Sequence, residues 1–164
     1  NQTALTFTFT ALHTGNAAGV ITNTAYFSGT LQAGRAAAAV TVVAAGYSST
    51  PAANSTVNVG YAGVGSPVTA TLTISETGGL PLIISGHTLS GANAADFTVT
   101  PATLSIPDGC AAQPLSIRCV PQALGQRVAT LTVNHNAPGS PATYTLNCSG
   151  AVATYLPVIL KNAP

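Results

Sequence analysis

The chain has 164 residues, of which 46% are hydrophobic, 5% aromatic and only 4% charged, against roughly 25% charged in an ordinary soluble domain. Four basic and three acidic side chains leave a net charge of +1 and no basic stripe to neutralise phosphates, so nucleic acid is excluded as a partner. No run reaches the roughly 18 apolar residues of a membrane-spanning helix, and a positive mean hydropathy with almost no charge argues against disorder.

The length allows one full core and a smaller unit. The chain opens at Asn1 with neither a methionine nor a signal-peptide pattern, so processing or trimming of a longer precursor is expected. With so little charge, repulsion between copies is weak and self-association is physically easy. Few titratable groups also lead to the expectation that stability changes little with pH.

Hydrophobic periodicity is two almost throughout. Leu5, Phe7, Phe9 and Ala11 alternate with Thr6, Thr8 and Thr10, the pattern of a strand with one buried and one solvated face. Val20 to Phe27 and Ala36 to Val43 supply two more strands, separated by a connection containing Ser28-Gly29 and Gly34. Intrinsic propensity would make the alanine run a helix, and its strand context overrides that. Gly46 to Asn54, rich in Ser, Ala and Pro, reads as a linker.

A series of seven short strands follows. Val57, Val59 and Tyr61 line the first, Ala70, Leu72 and Ile74 the second, and Leu80, Leu82 and Ile84 the third, with Thr77-Gly78-Gly79 as the turn between the last two. Phe97 and Val99 mark the fourth. Leu115, Ile117 and Cys119 form the fifth after Pro107-Asp108-Gly109, and Ala129, Leu131 and Val133 the sixth. Tyr144, Leu146 and Cys148 form the seventh, approached through Pro138-Gly139-Ser140-Pro141. Seven alternating strands without helical periodicity predict an all-β fold, an immunoglobulin-like β-sandwich preceded by an incomplete three-stranded unit.

Leu89-Ser90-Gly91-Ala92-Asn93-Ala94-Ala95-Asp96-Phe97, then Ile106-Pro107-Asp108-Gly109, Cys119-Val120-Pro121 with Gly125, Ala129-Thr130-Leu131-Thr132-Val133 and Leu146-Asn147-Cys148-Ser149-Gly150, occur in this order. Together they resemble the bacterial choice-of-anchor D domain, a Hydin-type immunoglobulin-like module, over residues 55 to 151. The resemblance implies a secreted or surface-attached protein without intrinsic catalysis. Cys110 departs from it, standing in a turn where a small or polar residue is expected. Residues 1 to 45 resemble the last strands of an immunoglobulin-like repeat found in tandem in bacterial surface proteins, most clearly at Val20-Ile21-Thr22-Asn23-Thr24-Ala25. The predicted organisation is a partial unit over 1–45, a linker over 46–54, a sandwich over 55–151 and a tail over 152–164.

Three cysteines cannot all pair within one chain. Cys119 and Cys148 share the inward register near strand ends that point the same way, and the resemblance places both at motif positions, so an inter-sheet disulfide between them is the first choice. Cys110 to Cys119 is the alternative, a short closable loop. Cys110 could instead form an intermolecular bond or stay unpaired.

Catalysis has little to draw on. His13, His87 and His135 read as exposed turn histidines outside any metal-binding spacing, and of the three acids, Glu76, Asp96 and Asp108, the resemblance implies structural places beside turns for Asp96 and Asp108. No catalytic residue, metal ligand or cofactor site is assigned. Of the tyrosines, Tyr61 and Tyr144 fall in core register and Tyr26 in a strand, leaving Tyr47 and Tyr155 for a carbohydrate platform. The sequons begin at Asn1, Asn54 and Asn147, and Asn54 is the candidate glycosylation site.

Three strands cannot bury both faces of a sandwich, yet Phe7, Phe9, Ile21 and Val40 need a cover. Either upstream strands are missing or a neighbouring copy donates one. The segment Thr154 to Lys161 is a candidate donor through Tyr155, Leu156, Val158, Ile159 and Leu160, with Pro157 tolerable at an edge. The sequence therefore points to a non-enzymatic extracellular structural protein that self-associates into a cell-surface filament or similar assembly. An adhesive or carbohydrate-binding module that meets surface glycans is the alternative, and an accessory domain of an extracellular enzyme a third reading.

Overall fold

The computed structural model describes residues 19–27 and 34–152, with side chains from residue 43 onward. The predicted strand at Leu5 to Ala11, His13 and the candidate donor segment Tyr155 to Leu160 lie outside the described residues.

Among the described residues, eleven strands and one 3-10 turn follow in order. They are β1 (Gly19–Phe27), β2 (Gly34–Val42), β3 (Tyr47–Thr50), β4 (Thr56–Gly63), β5 (Val68–Glu76), β6 (Leu82–Ser90), the turn Ala94–Asp96, β7 (Phe97–Thr100), β8 (Leu104–Ile106), β9 (Gln113–Cys119), β10 (Gly125–His135) and β11 (Ala142–Ala151). β1 and β2 form a two-stranded antiparallel sheet running from Gly19 opposite Val42 to Phe27 opposite Gly34. The alanine run is thus a strand, its pairing outweighing helix propensity.

The other nine strands make two sheets, β4-β11-β10-β6-β8 and β3-β5-β9-β7. Pairing is antiparallel throughout except between β11 and β4, which run parallel. Each sheet turns one side of its alternating pattern inward, and the two apolar faces meet. Leu72 and Ile74 of β5, Leu82 and Ile84 of β6, Leu115 and Ile117 of β9, Leu131 and Val133 of β10 and Leu146 of β11 are fully buried there. Burying one such side chain contributes about 1.5–3 kcal/mol, so this stripe is the principal source of stability.

Four differences from the sequence-based expectation bear on function. The segment read as a linker contains β3, which pairs with β5 from Tyr47 opposite Glu76 to Thr50 opposite Thr73. Glu76 secures the join by accepting hydrogen bonds on Oε1 from the backbone N–H groups of Gly46 and Gly78. The third sandwich strand starts at Leu82 rather than Leu80, whose side chain is exposed in the turn. A further strand, β8, lies between the fourth and fifth predicted ones and buries Ile106 against β6.

The last difference is a bulge. The register between β11 and β4 shifts so that Asn147 faces Asn58 while Cys148 faces Gly60. Val59 and Gly60 therefore both turn inward, and every residue after them changes face. Gly60 has φ of +120°, and a Cβ there would stand 3.3 Å from Val68 Cγ2, so glycine fits both the turn of the backbone and the space. Tyr61, expected in the core, is consequently 82% exposed.

Candidate functional site

Cys119 at the end of β9 and Cys148 on β11 are joined by a disulfide across the two sheets, with their Cα atoms 6.7 Å apart. That spacing is within the range a disulfide spans. Cys110 is exposed and unpaired, so the alternative Cys110–Cys119 loop is not formed.

The acidic groups serve the fold. Asp96, in the 3-10 turn, is buried, and Arg127 of β10 donates from Nε to its Oδ2 at 2.6 Å. Gln122 N donates to the same oxygen at 3.3 Å, and the Asp96 carbonyl accepts from Val120 N at 2.8 Å. Burial alone would push this carboxyl up, but the hydrogen bonds from Arg127 and Gln122 and the guanidinium charge outweigh it and hold it below its ordinary value. One turn earlier, Asn93 Oδ1 accepts from Val128 N at 2.9 Å. The polar residues of the Asn93 to Phe97 segment thus staple the crossover from β6 to β7 onto β9 and β10. Asp108 is exposed in its turn.

His87 and His135 are not the exposed turn residues expected. β10 continues to His135, which is 8% exposed and stacks on Tyr47 with ring centroids 4.2 Å apart and planes 6° from parallel. The cover comes from β3, the strand hidden in the supposed linker. Neither ring nitrogen of His135 has a hydrogen-bond partner among the described residues. Burial lowers its pKa, an effect that the Ala137 backbone offsets only in part. His87, half-buried, stands opposite the inward Val133 because β6 and β10 shift register at Asn134/His135. Its Nε2 is likewise buried without a partner.

Beside His135 runs a chain of hydroxyls. Ser49 Oγ donates to the Pro51 carbonyl at 2.8 Å and lies 2.6 Å from the Tyr144 hydroxyl, which lies 2.6 Å from the Tyr47 hydroxyl. Ser49 has one proton, already given to Pro51, so Tyr144 must donate to Ser49 and Tyr47 to Tyr144. Burial and this donation to Tyr144 raise the Tyr47 pKa far above its ordinary value. The chain ends on a backbone carbonyl and presents no activated nucleophile.

The outer face of the five-stranded sheet is different in kind. Paired rows cross it: Thr88, Thr132 and Thr143, then Ser90, Thr130, Thr145 and Thr56, then Val128, Asn147 and Asn58, then Gln126, Ser149 and Tyr61. None of these residues is charged. Gln126 Nε2 donates to Asn147 Oδ1 and Asn147 Nδ2 donates to Asn58 Oδ1, each at 3.2 Å, forming an amide relay across three strands. A shallow groove of about 260 Å³ lies between Asn58 and Tyr61, bounded by Asn147 and Ser149. Asn54, the candidate glycosylation site, is exposed with φ of +64°, and its Oδ1 accepts a 2.8 Å hydrogen bond from Thr143 Oγ1.

No family model and no curated protein matches the chain. Among solved structures, the ASH or PapD-like domain 7 of human CEP192 is similar at a TM-score of 0.51 and 13% identity, over 66% of this chain and 87% of that one. A protein of unknown function from Porphyromonas gingivalis W83 is similar at a TM-score of 0.52 and 15% identity, over 81% of this chain and 66% of that one. The fold these structures share with the chain is an immunoglobulin-like β-sandwich.

In this sandwich the sequence-predicted residues do not gather at one place. The disulfide spans the sheets, Asp96 sits under the crossover, and the hydroxyl chain with His135 fills the interior where β3 meets β10. Among the described residues no group of His, Cys, Asp and Glu could hold a metal ion, and no helix is long and apolar enough to cross a membrane. Sequence reasoning missed the exposed Tyr61 and the amide relay, since only the bulge at Val59 and Gly60 turns Tyr61 toward Asn58. Gly60 itself was the available signal, because a glycine inside a strand pattern marks bulges.

Proposed function

We propose that this chain is a non-enzymatic structural domain of the choice-of-anchor D kind, secreted or held at the cell surface, whose copies join through shared β-strands into an extended assembly. The observation that carries this reading is the composition of β1 and β2, two nine-residue strands that pair with each other. Their 18 residues include one charge, Arg35, and no proline, so these strands carry little of the usual protection against pairing with another chain. The buried disulfide suits an oxidising compartment. The engagement of Asp96 with Arg127, and of Glu76 with two backbone amides, supports a structural rather than a catalytic role for these acids.

Sedimentation velocity over a hundredfold concentration range, on the full chain and on a variant lacking residues 154–164, tests the reading. Growth into polymers that depends on the tail is expected. A monomer at every concentration overturns assembly, and polymers that persist without the tail overturn its role as donor. A second reading, an adhesive module displayed on a larger surface protein, is favoured by the uncharged outer sheet face with its exposed tyrosine.

A further inference from the structure

We infer that the groove between Asn58 and Tyr61 on the outer face of β4 and β11 binds an uncharged saccharide, one sugar ring stacking on Tyr61 while the amide relay takes its hydroxyls. This deepens the adhesive reading and rests on it, and it is independent of strand-mediated assembly.

The geometry begins with the bulge. In a regular strand, alternate residues line one face, but Val59 and Gly60 both turn inward, so Asn58 and Tyr61 flank a gap wider than the pleat provides. The resulting groove, about 260 Å³, is just under the range of small-molecule pockets and has the size of one ring at a time. Tyr61 is 82% exposed at its rim. Its ring is an apolar surface with a polar tip, the combination that suits a ligand with C–H groups on one face and hydroxyls at its edge.

The polar partners are already oriented. Asn147 sits between Gln126 and Asn58 and is held by both. The relay leaves Asn58 Nδ2 and Gln126 Oε1 without partners among the described residues, a donor at one end and an acceptor at the other. Asn58 lines the groove, where its free Nδ2 can donate to a sugar hydroxyl, while Gln126, two strands away, holds Asn147 in place. Hydrogen-bonded amides lose little freedom when a ligand arrives, which favours binding.

Charge and backbone decide against other occupants. The rows around the groove carry no charged side chain, and Arg127, next to Gln126 in β10, is tied to Asp96. An anionic ligand would find no counter-charge. A peptide adding as a strand would pair along the outer edge of β4 and not in the groove, where the backbone groups between β4 and β11 are already paired.

The test titrates neutral hexasaccharides of glucose, xylose, mannose and N-acetylglucosamine, and the anionic oligogalacturonate, into the full chain while nitrogen-15 NMR spectra are recorded. At least one neutral sugar is expected to shift the side-chain amide signals of Asn58 and Asn147. Tyr61→Ala should weaken that binding roughly two- to tenfold, the loss of one stacking contact, without lowering the melting temperature of the protein, since the side chain is so exposed. Asn58→Ala should weaken it several-fold. Equal binding by Tyr61→Ala, or shifts elsewhere on the chain, overturns the site. Binding of oligogalacturonate alone overturns the uncharged class while the adhesive reading stands, and binding of none of the panel overturns this proposal and removes the glycan form of the adhesive reading.

Discussion

Removing the disulfide should cost this domain a large share of its stability. Cys119 and Cys148 are 29 positions apart, and in the chain-entropy model closing a loop of that length stabilises the fold by about 3.6 kcal/mol. Domains of this kind are stable by about 5–15 kcal/mol in all, so the loss is about a quarter to about 70% of the total. The informative variant is Cys119→Ala with Cys148→Ala. Both positions are buried among apolar neighbours, where serine hydroxyls would add an unrelated desolvation cost. With a urea slope of about 1.5–2 kcal/mol/M, the unfolding midpoint should fall by about 2 M. Thermal unfolding should come about 14 °C earlier, taking about 4 °C per kcal/mol. Cys110→Ala should leave both unchanged, since Cys110 is exposed and bonds to nothing. A double variant within 1 kcal/mol of the parent would refute the loop-entropy argument. Non-reducing peptide mapping that found Cys110 in the cross-link would refute the pairing itself.

Asp96→Asn leaves Arg127 half-buried without its counter-ion and should destabilise the domain by about 3–5 kcal/mol in urea melts. Because the folded-state pKa of Asp96 is depressed, its contribution is present above the ordinary aspartate value of about 3.9 and disappears as pH falls through the lower folded value. His135 has a depressed folded-state pKa as well, so below its ordinary value of about 6.5 the unfolded chain takes up a proton that the folded chain resists. Melting temperatures should therefore fall between pH 7 and pH 5, contrary to the pH-insensitivity that so few titratable groups suggest. His135→Phe, which keeps the stack on Tyr47, should flatten that fall.

How much of this was legible in the sequence depended on whether a residue's neighbours were its own. Ala129, Leu131 and Val133 alternate with threonines inside one strand, and they are buried as the pattern requires. The inward register of Cys119 and Cys148 follows from the same rule. β3 escaped because four residues of an edge strand between Pro- and Ser-rich turns carry no period of their own, and it forms only by pairing with β5. His135 followed from that omission, since its cover is Tyr47. Tyr61 was lost to a single inserted residue, which exchanges inside for outside and leaves composition unchanged. The amide relay was invisible because Asn58, Gln126 and Asn147 are brought together by strand pairing alone.

The parallel pairing of β4 with β11 has a consequence for how copies can be arranged. The chain comes into the sandwich beside Glu76 and Tyr47, at the end where β11 begins, and it leaves after Ala151, next to Gly63 at the other end. β11 is 10 residues long, so the two points are separated by about 30 Å at about 3.3 Å per residue. Whatever precedes the sandwich and whatever follows it therefore attach at opposite poles. In the proposed assembly, contacts made through those two ends would be unlike each other, so copies would add with one polarity, in an open row or a closed ring according to the rotation between them.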